Sequence, residues 1–125
     1  MQKQILYPNF TIRLISASID MMAIYIISSL YKKICSQYDM INILIIITMF
    51  LYFSLFPYYT GYTIGKYIMR ICIVKINDYS KPSLMQNIIR TIMYPIGLFS
   101  MPFMQFTKNK RALHDRISNT IVIYK

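Results

Sequence analysis

Between Ile12 and Tyr31 the chain is apolar for the length of a membrane span, yet Arg13 and Asp20 lie inside that run, seven residues apart. About 20 residues rising ~1.5 Å each match a ~30 Å hydrocarbon core. A second run, Met40 to Tyr59, contains no charged residue at all. In lipid a helix satisfies its backbone polar groups internally, so both runs predict membrane helices. A charge at the centre of such a span costs roughly 2.5–3.5 kcal/mol on insertion scales. Arg13 lies near the start, where a long side chain can reach the interface. Asp20 lies about 10 Å deeper and has no such escape. It needs a partner, and Asp115, in the tail stretch Arg111-Ala112-Leu113-His114-Asp115-Arg116, is the best third charge for a network with Arg13 and Asp20.

Composition supports a membrane class. Charged residues make up 14% of the 125, well below the ~25% of soluble domains, and the deficit falls on the acids: four Asp and Glu against fourteen Lys and Arg. The net charge of +10 does not point to nucleic acid. The basic residues lie between apolar runs, where they flank membrane segments and meet anionic lipid headgroups. Cys35 and Cys72 form no metal or redox motif and are expected on opposite membrane faces, without a disulfide. The first apolar run is too long for a cleavable signal core and has no small-residue cleavage site, so it is expected to be retained. Abundant Ile, Lys, Asn and Tyr with little Ala suggest a bacterium with an AT-rich genome. The length allows one domain, 1–125.

The connecting segments carry the finer signals. Lys32 to Asp39 reads as a short loop. Gly61 to Lys66 reads as a tight turn leaving the membrane, with Lys66 directed toward lipid phosphates. It is no phosphate loop: three residues rather than four separate its glycines, and Tyr67 follows the lysine. Ile68 to Ile76 is β-branched and loosely alternating, a strand signature, and Asn77 to Ser80 is a turn. Ser83 with Gln86 forms a capping-box pattern opening a third helix. Gln86, Asn87, Arg90 and Tyr94 then share one face. Pro95, Gly97 and Pro102 break this third membrane segment, and Thr120 to Tyr124 reads as a second strand. Three full spans would place the basic second loop and the basic tail on opposite sides. A third segment that bends back keeps both in the cytoplasm, with the termini, and lets the strands pair there.

The combined pattern resembles the RDD family of small bacterial membrane proteins, named for an Arg and an Asp in the first helix and an Asp in the C-terminal region. The matching positions are Arg13, Asp20 and Asp115. Gly61-x-Thr63-x-Gly65-Lys66 resembles the family's G-x-T-x-G-K segment. Leu113-His114-Asp115 followed by Thr120 and Val122 resembles its L-H-D-x-x-x-x-T-x-V ending. The likeness covers nearly the whole chain, in order. Ser and Ile stand beyond Arg13 where many members have Ala and Gly, and Asn77-Asp78-Tyr79 lacks a common Gly. The resemblance implies a bacterial inner-membrane protein, multi-pass, often suspected of transport.

The expected fold is thus all-α membrane: two firm transmembrane helices, a third Pro-broken segment and a small cytoplasmic β element. Intramembrane carboxylates mark ion and proton paths, which would make Arg13, Asp20 and Asp115 a site for moving ions or small solutes, with Asp20 as carrier. Equally, the three could form a structural network whose disruption costs ~3–5 kcal/mol, in an accessory, regulatory or immunity-type membrane protein. Two helices enclose no path, so transport requires a homo-oligomer or a larger membrane partner. His114, the only histidine, lacks neighbours at ligand spacing for a metal and suits a contact with Asp115. No cofactor is implied. No nucleophile–base–orienter set or catalytic carboxylate pair exists, so the chain is not expected to be an enzyme.

Overall fold

The computed structural model describes residues 6–108 and 110–125. Helix α1 runs Phe10–Ile34 and helix α2 Tyr38–Thr60. Both exceed the expected runs, because the anticipated loop Lys32 to Asp39 shrinks to Cys35–Gln37. The Cys35 N–H still bonds the Tyr31 carbonyl at 2.9 Å, so the helix continues to the last carbonyl it can satisfy. The inward stripe of α1 is Arg13, Ser16, Ala17, Asp20, Ile24 and Ser28, spaced three and four residues apart. Its large apolar residues point outward instead: Met22 is 67% exposed and Tyr25 72%. Only 28% of the most apolar stretch of α1 and 22% of that of α2 are buried. A core helix of a soluble protein would bury these residues, whereas lipid tolerates them outside. Both helices are long and apolar enough to cross a membrane.

α2 ends at Gly61, whose φ of +85° puts it in the left-handed region that glycine enters without Cβ strain. A short helix, α3 (Ile64–Ile68), turns back against α1. Strand β1 follows at Ile71–Lys75 and pairs antiparallel with β2, Thr120–Tyr124, with Ile73 opposite Val122. The expected strand Ile68 to Ile76 is therefore shorter, since Ile68 closes a helix and Arg70, at φ +55°, makes the corner. A lone two-stranded ribbon is marginal in water. Here Ile71, Ile73 and Val122 form a buried cluster completed by Ile12 and Met69, which ties the ribbon to the start of α1.

The third apolar segment is not one helix. The Ser83–Gln86 capping box opens α4, Leu84–Ile92, as its spacing predicts. Pro95 lacks the N–H that would continue the ladder of α4, so α4 stops at Ile92 and α5 restarts at Tyr94–Ser100 with Pro95 in its first turn, where a missing N–H costs nothing. Pro102 then lies in a 3-10 turn, Met101–Phe106. No piece alone reaches across ~30 Å. The chain enters and leaves this segment at one end of the hairpin: Lys81 Nζ donates to the Tyr59 carbonyl, and Arg13 Nη1 donates to that of Lys110. The last helix, α6 (Leu113–Ile117), packs on α4 and α5 and leads into β2.

Candidate functional site

Two buried carboxylates organise the end of the hairpin where α1 begins. Each has a different solution to the same problem, since a buried charge must be paired or hydrogen-bonded.

Asp20 is solved by neutral donors. Its Oδ1 accepts from the Tyr52 hydroxyl at 2.7 Å and from the Gly65 N–H at 2.8 Å, and its Oδ2 accepts from the Thr63 hydroxyl at 2.6 Å. Tyr52 in turn accepts from the Ile64 N–H at 3.0 Å. The free N–H groups at the start of α3 are thus capped from other helices, and Thr63, at the N-cap position, spends its hydroxyl on Asp20 rather than on its own helix. This requires α3 to lie directly on α1. A Cβ on Gly65 would fall 2.0 Å from the Ser16 carbonyl oxygen and 3.0 Å from Asp20 Cγ, so only glycine permits the contact.

Asp115 is solved by cations. Arg13 Nη2 pairs with its Oδ2, and Arg90 Nη1 lies 2.9 Å from its Oδ1, within ion-pair reach but off the line of a hydrogen bond. Arg90 also donates to Thr120 Oγ1 at 3.3 Å, and Thr120 bonds Ser118 at 2.8 Å. Burial pushes the Asp115 carboxyl up, but the two guanidinium groups outweigh it and hold it well below the usual carboxylate range. His114 Nε2 lies 3.3 Å from the same carboxylate. Burial nevertheless lowers its pKa to about 3, against the pull of Asp115, so the ring is neutral at physiological pH. That ring rests on Gly97, where a Cβ would meet Nδ1 at 1.7 Å, and packs 5.3 Å from the Tyr94 ring.

Arg13, Asp20 and Asp115 thus lie in one buried region, as the sequence places them, but as two nodes rather than one triad. Among the described residues no ion pair reaches Asp20, so the expected charge pairing is met only at Asp115. Lys66 is a second correction. It does not point to lipid phosphates; it is 5% exposed and faces the cluster. Burial first, then Arg90, lowers its pKa to about 8. Lys66 follows Gly65, whose backbone lies against α1, and its side chain lines the gap beside Arg13 and Arg90. Among the described residues, its ammonium group has neither a hydrogen bond nor an ion pair.

Sequence reasoning missed Tyr52, which nothing distinguishes from an interfacial tyrosine. It noted Arg90 only as part of a polar helix face, and that face was the available signal. Among the described residues, no group of three or more His, Cys, Asp or Glu could hold a metal.

The arrangement accounts residue by residue for the segments that resemble a family. Gly61 ends α2, Thr63 and Gly65 hold Asp20, and His114, Asp115 and Thr120 build the second node. A profile of the RDD family matches residues 7–119. The chain belongs to the RDD family. Two relatives extend the likeness along the chain. The uncharacterized protein RP437 of Rickettsia prowazekii (strain Madrid E) is 31% identical, over 98% of this chain and 99% of its own length. The uncharacterized protein YckC of Bacillus subtilis (strain 168) is 34% identical, over 93% of this chain and 83% of its own length. No solved structure matches. The RDD letters therefore name two connected devices here: a tertiary cap at Asp20 and an ion cluster at Asp115.

Proposed function

We propose that this RDD protein moves an ion or small solute across the bacterial inner membrane, through the charged cluster at the start of α1. One observation carries the reading: the buried charge exceeds what a structural lock needs. Arg13 and Asp115 alone would tie the first helix to the tail. Arg90 and Lys66 add two buried cations, at a desolvation cost of several kcal/mol per ion. Intramembrane charge of this kind is retained where it serves a charged species. Both oxygens of Asp20 are taken by protein donors, so this reading assigns the moved species to the buried cations rather than to Asp20. The exposed apolar faces of α1 and α2 leave room for the homo-oligomer or larger partner that an enclosed path requires. Both termini are cytoplasmic on this reading, and the exposed basic residues near the ribbon meet anionic headgroups.

A second reading, an accessory or regulatory membrane protein, is favoured by one specific feature: the gap between the buried cations admits no water molecule. Flux measurements on purified protein in sealed vesicles separate the two. Transport predicts ion movement that Lys66→Met abolishes while the protein stays folded. Absence of any flux, with tight co-purification of a foreign chain, decides for the accessory role.

A further inference from the structure

We infer that the buried cations bind an anion of the carboxylate or phosphate class, with Lys66 as its principal contact. That the bound anion is also what is moved rests on the transport reading above.

The charge count comes first. Arg13, Lys66 and Arg90 contribute three positive charges, and Asp20 and Asp115 two negative ones. His114 is neutral, so one positive charge is left over in a region shielded from water. Asp20 is saturated by neutral donors, and Asp115 is ion-paired to two guanidinium groups, although its Oδ1 accepts no hydrogen bond. Asp20 and Asp115 act on Lys66 only from beyond ion-pair distance, so among the described residues the ammonium has no direct partner.

The donors come second. An ammonium group offers three N–H bonds and no acceptor, and none of the three is used among the described residues. Arg90 makes its contacts through Nη1 alone. Both ring nitrogens of His114 are buried without a hydrogen-bond partner, and a neutral ring can donate from one. These groups, with Arg13, line one gap walled by Tyr94 and Met101. The Ser16 and Tyr94 hydroxyls and one ring nitrogen of neutral His114 can accept, but the three cations only donate, and their excess favours an oxyanion over a metal cation.

Space comes third. The gap spans about 190 Å³ including its mouth, but its walls close too tightly for a water molecule. An anion therefore enters by displacing a side chain, and Met101 is unbranched and adaptable. It opens the 3-10 turn between the two proline breaks, where the backbone ladder is already interrupted.

The required oxyanion could be a lipid phosphate or a free phosphate or carboxylate. Thermal unfolding separates them. The protein is purified in neutral detergent without phosphate, then titrated with inorganic phosphate or acetate at constant ionic strength. In parallel it is placed in phosphatidylcholine discs with or without phosphatidylglycerol. A saturable rise in Tm of roughly 2–4 °C is expected from one of these probes, as for any ligand that binds only the folded state. Phosphate or acetate acting in detergent identifies a free anion; phosphatidylglycerol acting alone identifies a headgroup. Lys66→Met should remain folded and lose the rise, Lys66→Arg should keep it, and Lys81→Met, at an exposed position, should leave it unchanged. Equilibrium dialysis with labelled phosphate repeats the comparison without relying on stability.

No rise with any probe, or an equal rise in Lys66→Met, overturns the inference. Anion binding without flux removes only the transport reading. Cation flux through a protein that takes up none of these anions removes this inference alone.

Discussion

Gly65 shows how little freedom the site leaves at the level of one residue. Its α-carbon is where α3 touches the backbone of α1, with an added Cβ only 2.0 Å from the Ser16 carbonyl. Gly65→Ala forces the two helices apart and pulls the Gly65 N–H off Asp20. Overpacking typically costs ~1–3 kcal/mol, and the lost bond to a carboxylate adds to it. Thermal unfolding in detergent should show a clear fall in Tm, whereas alanine at Gly61 acts by backbone strain and leaves Asp20 bonded. Titration gives a second test. Lys66 has a folded pKa near 8 against an ordinary ~10.5, so the unfolded chain holds more protons between those values. Stability should therefore rise from about pH 8 to 10.5, and Lys66→Met should flatten the rise. His114, lowered to about 3 from ~6.5, acts in the same sense at lower pH: stability should fall as pH drops through 6.5. Unfolding curves across pH 5 to 10 check both.

Local signals governed the elements wherever they agreed with chain geometry. The Ser83–Gln86 box was legible because its residues lie three apart and bond within one turn. Ser83→Ala should destabilise by about 1 kcal/mol, seen as a lower midpoint in chemical denaturation, without affecting any property of the Asp115 cluster. Thr120 to Tyr124 was legible for the same reason, as an alternating β-branched run. The other strand was overextended, because nothing in Ile68 to Ile76 announces that Arg70 takes a left-handed corner. The prolines showed where the third segment breaks. They did not show what the pieces pack against: Gly97 closes onto His114, a contact made only in the tertiary fold.

At the scale of the molecule, Arg13 against Asp115 and β1 against β2 join the two ends of the sequence at one end of the helical hairpin. Cys72 lies in that ribbon and Cys35 follows the far end of α1, both as free thiols. With the ribbon in the cytoplasm, an impermeant thiol reagent applied to intact cells should label Cys35 and spare Cys72 until the membrane is opened. The reverse pattern inverts the orientation. Apolar length and charge placement were enough for the chain itself to specify two helices long and apolar enough to cross a membrane, its two strands and the three charges that must find partners, because hydrophobicity, helix rise and strand alternation act over neighbouring residues. Which donors satisfy Asp20, and that Lys66 turns inward unbalanced, were decided only when α3 closed on α1. Those contacts join residues more than thirty positions apart, and their energy is set by burial that no local pattern records.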